Sequence, residues 1–170
     1  MNALIRPLVR HWLVLALLAS AAMLAIAHAF QTFGGLAPCT LCLRQREVYW
    51  IALGVSAAGL ALGLSPATAR LRPLVCAILA LIFLYGAGVA AYHAGAEWKW
   101  WPGPTACSGG GGASAAALAQ LLHGAKIAAP RCDEAAWRMA GLSMAGWNVL
   151  ASLVFAGFSG AAALAGGRRG

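Results

Sequence analysis

A chain of 170 residues, 62% apolar and only 9% charged, falls far below the quarter of charged residues usual in soluble domains, which argues against an ordinary soluble globule. The net charge of +8 could suit nucleic acid, but the arginines stand beside apolar runs and form no basic face, so no nucleic-acid partner is expected. What remains is a membrane composition: one integral domain over 1–170, with the lipid bilayer as its solvent and the cations as topology signals.

The first apolar run, 12–33, is long enough at the helical rise to cross a hydrocarbon core of roughly 30 Å. Arg6 and Arg10, an apolar stretch and Ala27-His28-Ala29 also imitate a cleavable signal peptide. The run exceeds the roughly 7 to 15 residues usual for such a peptide's core, so it is read as a retained span, with cleavage as the rival. The second run, 48–64, is short alone but long enough if its helix starts near Cys39, since Pro38 is tolerated in a first turn. That gives a span over 41–64, ended by Ser65 and Pro66. A short basic connection carries Arg70 and Arg72, and spans over 74–94 and 142–164 follow. The fold class is therefore all-α: a four-helix transmembrane bundle with outer loops at 34–40 and 95–141.

Cations in short flanks mark the cytoplasmic side. The amino-terminal tail, the Arg70/Arg72 connection and the carboxyl tail with Arg168 and Arg169 are short, basic and free of acids. The other side also holds six cations (Arg44, Arg46, Lys99, Lys126, Arg131, Arg138), but they are spread over longer segments and diluted by Glu47, Glu97, Asp133 and Glu134. Both termini are thus expected in the cytoplasm and both cysteine-bearing loops outside, in the periplasm of a bacterium.

The long outer loop opens with Glu97-Trp98-Lys99-Trp100-Trp101, whose indoles suit the headgroup region. Cys107 is followed by Ser108 and four glycines. Residues 115–125 place Leu118, Leu121 and Leu122 at helical spacing, so a short membrane-surface helix is expected there. Cys132 ends the loop within Pro130-Arg131-Cys132-Asp133-Glu134.

Of five cysteines, Cys39, Cys42, Cys107 and Cys132 lie in or beside these loops, while Cys76 sits in an apolar run and reads as a packing residue. An oxidising compartment lets disulfides persist, and four cysteines allow three pairings. Cys39 and Cys42, three apart, and Arg46, four beyond Cys42, can share one helical face. At a helix start, the dipole and Arg44 and Arg46 favour thiolate, the form that attacks a disulfide or passes electrons. The pair could also be half a zinc site, but Cys107 and Cys132 lack the paired spacing such sites use, so no metal is expected. Structural disulfides are a further reading, snorkelling is one for the arginines, and bonding a terminal carbonyl is one for His93.

Cys39-Thr-Leu-Cys42 followed by Arg46, the Tyr92-His93 end of the third span, Pro102-Gly-Pro-Thr-Ala-Cys107, and Cys132 followed by Trp137 and Gly141-Leu-Ser-Met-Ala-Gly-Trp147 together resemble the DsbB family over nearly the whole chain. The resemblance implies a four-helix transmembrane bundle of the bacterial inner membrane, an oxidoreductase passing electrons from thiols to membrane quinone. It implies that Cys107 forms a mixed disulfide with a DsbA-like thioredoxin-fold oxidase and pairs with Cys132 at rest. Cys39 would exchange with Cys132, leaving Cys42 as a thiolate against ubiquinone, or menaquinone, with Arg46 stabilising charge and His93 supporting the quinone site. The four-glycine run and the alanine-rich segment depart from the family pattern, and Cys76 has no role in it. The alternative of another class is a non-catalytic bundle or transporter braced by periplasmic disulfides.

Overall fold

The computed structural model describes residues 5–104 and 131–167. They form a mostly helical chain: α1 (Ile5–Arg10), α2 (Trp12–Thr32), α3 (Thr40–Leu62), α4 (Pro66–Ala69), α5 (Arg72–Glu97), a two-stranded hairpin of β1 (Arg138–Met139) and β2 (Leu142–Ser143), and α6 (Met144–Gly167). The expected surface helix at 115–125 and Cys107 lie outside the described residues.

Among the described residues, three helices are long and apolar enough to cross a membrane: Trp12–Thr32, Arg72–Glu97 and Met144–Gly166. Four spans are expected from sequence, and α3 is the one that falls short among the described residues. Its 23 residues are ample in length, but its first turns carry Arg44, Gln45, Arg46 and Glu47, and these dilute its hydropathy. The chain is a multi-pass membrane protein by its three apolar helices.

The helices neighbour one another in the order α2, α3, α5, α6, with α5 lying most extensively along α6. Small residues let them approach: Ala16, Ala52, Ala90, Ser152 and Ser159 are fully or almost fully buried, the packing that serves where lipid offers no hydrophobic drive between helices. Phe83 is fully buried and meets Phe155 edge-on at 5.3 Å. Trp12 stacks on Phe158 at 5.1 Å and donates its indole N–H to Ser159 Oγ at 2.7 Å. Cys76 is sealed in this core beside Leu79, the packing role its apolar run suggests.

Two chain reversals position the cysteine-bearing end of the bundle, called the outer end after the orientation expected from its cations. The α5 carboxyl end closes as a Schellman turn: Trp100 N–H bonds Gly95 O at 2.9 Å, Lys99 N–H bonds Ala96 O at 3.0 Å, and Lys99 takes φ 62, where glycine is usual. Trp101 then folds back over α5, stacking on Tyr92 and donating to Tyr92 O at 2.9 Å. Its ring comes so close to Gly95 that any β-carbon there would collide with it. In the hairpin, Ala140 and Gly141 have φ 51 and 81, the left-handed pair of a two-residue turn. Ser143 Oγ then accepts from Gly146 N–H at 3.2 Å and starts α6. Sequence patterning places 138–141 in the outer loop and starts the fourth span at 142; the helix instead starts at Met144, after β2, and two-residue strands are too short to show alternation.

Candidate functional site: a sulfur cluster at the outer end of the bundle

The first turn of a helix has backbone N–H groups with no partner inside the helix, and a side chain just before it normally accepts one. In α3 that residue is Cys39, whose sulfur accepts from Cys42 N–H at 3.3 Å. The cap brings the two free thiols together, with Sγ atoms 2.9 Å apart. Cys39 is buried and Cys42 half-buried. The helix start expected at the cysteine pair is therefore present, and it distinguishes the two sulfurs: one caps, the other lies on the first turn.

From α5, His93 Nε2 approaches Cys39 Sγ to 3.7 Å, and one donor atom each of Cys39, Cys42 and His93 lies within 4.8 Å of the others. On its opposite edge, His93 Nδ1 receives a hydrogen bond from Gln45 Nε2 at 2.8 Å. Gln45 Oε1 accepts from Asn148 Nδ2 at 2.6 Å, and Asn148 Oδ1 accepts from the Tyr49 hydroxyl, which also lies 3.3 Å from Ser152 Oγ. Because Nδ1 accepts, the imidazole hydrogen sits on Nε2 and points at the sulfur side. A chain of buried polar groups from α3 and α6 thus aims His93 at Cys39.

The cap position lowers the Cys39 pKa from 9.0 to about 4, first through the hydrogen bond from the Cys42 thiol, with burial opposing and His93 and the Cys42 N–H adding to the fall. The arginines expected to act on the pair are engaged elsewhere. Arg46 reaches back to α2, donating to Gln31 Oε1 at 2.6 Å and Ala27 O at 3.0 Å, and Arg44 pairs with Glu47 at 3.0 Å. Thiolate at the helix start therefore rests on the cap, Cys42 and His93.

Cys132 is fully buried, disulfide-bonded, and packed in one apolar cluster with Cys39, beside Leu41 and Cys42. Its Sγ lies 3.7 Å from Thr40 Oγ1. The segment is fastened from both sides. Lys99 Nζ donates to Asp133 Oδ2 and to Asp133 O, each at 2.7 Å, and Arg131 donates to the same carboxylate at 3.1 and 3.0 Å. These two cations hold the Asp133 carboxyl well below the usual carboxylate range.

Of the residues singled out from sequence, Cys39, Cys42, His93 and Cys132 converge, Arg46 lies one turn away facing α2, and Cys107 is outside the described residues. Sequence reading missed Gln45, Asn148 and Glu97. Glu97 is buried, with one oxygen 3.7 Å from His93 Nε2 and the other without a hydrogen-bond partner. Its signal was available: Glu97 stands four residues after His93, so the two share a helical face. Asn148 had one too, as a lone amide inside an apolar span. An open groove of about 600 Å³ lined by Leu41, Arg44, Tyr85, Gly88, Val89 and Tyr92 runs beside the site, between α3 and α5.

A thiol held toward its thiolate, a neighbouring thiol and a disulfide sulfur in one buried cluster are the groups that thiol–disulfide exchange uses. No curated protein and no solved structure matches the chain. The model of the family described as disulfide bond formation protein DsbB matches residues 9–162, a span that takes in every sulfur and polar group of this site, and the chain belongs to the DsbB family.

Proposed function

We propose that this chain is a quinone-dependent thiol oxidase of the bacterial inner membrane that reoxidises a periplasmic, DsbA-like thioredoxin-fold oxidase. Family membership makes it a membrane protein of disulfide bond formation. The finer reading is supported above all by the position of Cys39, 2.9 Å from one sulfur of its own helix and packed against disulfide-bonded Cys132.

In this reading Cys107 and Cys132 form the disulfide that meets the partner. A partner thiolate attacks Cys107 and releases Cys132 as a thiolate. When Cys39 and Cys42 are oxidised, Cys132 attacks Cys39, and Cys42 leaves with the electron pair. In the reduced pair His93, held with its hydrogen on Nε2, faces the sulfur charge at Cys39, and the buried apolar walls keep water from competing. A second partner thiolate then resolves the mixed disulfide, returning the oxidised partner. The released Cys107 then attacks Cys132 and frees Cys39 as a thiolate. Two thiols are consumed in the partner and two appear in this chain.

The residues beside Cys42 fit a quinone. Cys42 is the half-buried sulfur of the pair, and Arg46, one turn on along the same face, would meet a carbonyl oxygen by releasing Gln31. Bound beside Cys42, a quinone would supply a two-electron acceptor as Cys39 and Cys42 close to a disulfide, with its protons taken from any thiol hydrogen left on the pair and from water. We read ubiquinone as the acceptor, with menaquinone as the variant. We also read α3 as the fourth crossing, with both termini cytoplasmic and the sulfur cluster periplasmic.

Anaerobic mixing of reduced protein with ubiquinone tests this by thiol counting: two thiols should disappear per quinol formed. A Cys42→Ser protein that reduced quinone with dithiol substrate at the normal rate would overturn it.

A further inference from the structure

The hydrogen-bond chain that ends at the sulfurs leaves one buried ionisable oxygen unaccounted for. Glu97 is only 8% exposed. Its Oε1 lies 3.7 Å from His93 Nε2, the same distance at which Cys39 Sγ sits from that nitrogen, and its Oε2 is buried with no hydrogen-bond partner. A buried carboxylate left so is costly unless something of positive charge meets it. Nearby, one donor atom each of Cys39, Cys42 and His93 lies within 4.8 Å of the others. Two thiols and an imidazole nitrogen on two rigid helices are three donors of the kinds that a borderline-soft cation takes. Glu97 lies outside their 4.8 Å group, beside His93, and its carboxylate turns toward the sulfurs to supply the fourth.

We propose that the reduced Cys39–Cys42 pair, His93 and Glu97 together bind one thiophilic divalent cation of the Zn²⁺ class. The completing ligands for the Cys-x-x-Cys pair come from one face of α5, four residues apart, and not from the later cysteines that sequence spacing had tested and found unsuitable. Ligand edges of 3.7 Å at the nitrogen suit a tetrahedral site with zinc–sulfur bonds of about 2.3 Å, which sets sulfurs roughly 3.8 Å apart. The two sulfurs, at 2.9 Å, must open by about 0.9 Å to reach that spacing, a rotamer adjustment of Cys42 on its exposed side. Both sulfurs coordinate as thiolates, and any thiol proton still on the pair goes to water as the metal binds.

Metal on His93 Nε2 requires the imidazole hydrogen on Nδ1. Gln45 can serve that tautomer by turning its amide so that Oε1 accepts from Nδ1. Asn148 turns with it, offering Oδ1 to Gln45 and Nδ2 to the Tyr49 oxygen, and the Tyr49 hydroxyl then donates to Ser152. Each link between side chains survives with its direction reversed, and only the long Gln45 Nε2 bond to Leu41 O, at 3.4 Å, is given up, so the surrounding shell accommodates both tautomers. The cation binds only while the pair is reduced, because a disulfide offers no thiolate. With both sulfurs coordinated, neither can attack a disulfide or pass electrons, so the metal acts as a redox-gated stop; that consequence rests on the thiol-oxidase reading, whereas binding itself does not.

The test uses full-length protein carrying Cys76→Ser, Cys107→Ser and Cys132→Ser, so that Cys39 and Cys42 are the only thiols, reduced and handled anaerobically without quinone or partner. Titration with Cd²⁺ should give one equivalent with a thiolate-to-metal charge-transfer band. Zn²⁺ should displace it and Mg²⁺ should not, and oxidation of the pair should abolish it. Glu97→Gln, which keeps the side chain's shape, and His93→Ala should each weaken binding at least tenfold, and Gln45→Leu should weaken it by roughly ten- to a hundredfold. Far-ultraviolet circular dichroism checks that each variant keeps its helices, and the isosteric Glu97→Gln decides if His93→Ala does not fold. Equal affinity in Glu97→Gln and parent, or no charge-transfer band while two free thiols are counted, overturns the site. Since neither quinone nor partner is present, failure here and failure of the thiol-oxidase reading are separate results.

Discussion

The inner half and the outer end of the bundle use buried polar groups in opposite ways. In the inner half the Trp12 indole meets Ser159 and the link stops there, with Phe83, Leu79 and Cys76 packed around it at no exposure. At the outer end each polar group passes to another, from Tyr49 through Asn148 and Gln45 to His93, and the series finishes at sulfurs and at Glu97. Ser20 and Ser56 also have unpartnered hydroxyls, but a hydroxyl is a smaller loss than a carboxylate oxygen. Among the described residues, then, the inner half is built for packing, and the open-ended polar chain leads to the groups on which the proposed exchange would place charge.

Substitutions can break this contrast. The largest effect is expected at the sulfurs: Cys39→Ser should cut dithiol-dependent quinone reduction on the order of 10³-fold or more, the scale of losing a covalent nucleophile, while stopped-flow rates are compared at equal folded protein. Next, Leu79→Ala should cost about 2–5 kcal/mol through the cavity it leaves. That loss should show in denaturation in detergent, with the activity per folded molecule kept. Should activity fall while stability holds, the division between the two halves is wrong.

Asn148→Leu is a smaller change at the boundary. It strands Gln45 Oε1 and leaves the Tyr49 hydroxyl only Ser152, costing about 1–3 kcal/mol, and it releases the grip on the His93 tautomer. His93→Ala sharpens the point through pH. The thiolate absorbance of the reduced pair should titrate near pH 4 in the parent and at higher pH in the variant. The sign for folding follows: a thiol pKa depressed from 9.0 to about 4 stabilises the folded reduced protein fully above 9.0, and that contribution is lost as pH falls through about 4. The smallest effect is expected for Asp133→Asn, at the exposed clamp on the Cys132 segment. It should leave the thermal midpoint nearly unchanged and speed reduction of the Cys132 disulfide by mild thiols, an effect that high salt should reproduce in the parent.

Much of this was legible along the chain. Three of the four expected spans stand as apolar helices because hydropathy over twenty residues sums many small preferences. The helix start at Cys39 followed from Pro38 and the apolar run beyond it. Other features depend on partners far away: Gln45 meets His93 from 48 residues off and Asn148 from 103 residues off, so neither has a local pattern. Arg46 shares a face with Cys42, as spacing predicts, yet spacing could not show that Gln31 and Ala27 would claim its guanidinium.

The charged opening of α3 also bears on how the chain enters a bilayer. A segment that begins Thr-Leu-Cys-Leu-Arg-Gln-Arg-Glu gains little from partitioning by itself, whereas α2, its immediate predecessor and close neighbour, gains a great deal. If α3 crosses as proposed, its favourable route is as the second arm of a helical hairpin, with Arg46 already bonded to α2 and its charge shielded during insertion. Biogenesis would then be cooperative at this one joint, and a lesion such as Gln31→Leu would be felt first as a fault of insertion during synthesis, before any folded molecule exists to be destabilised.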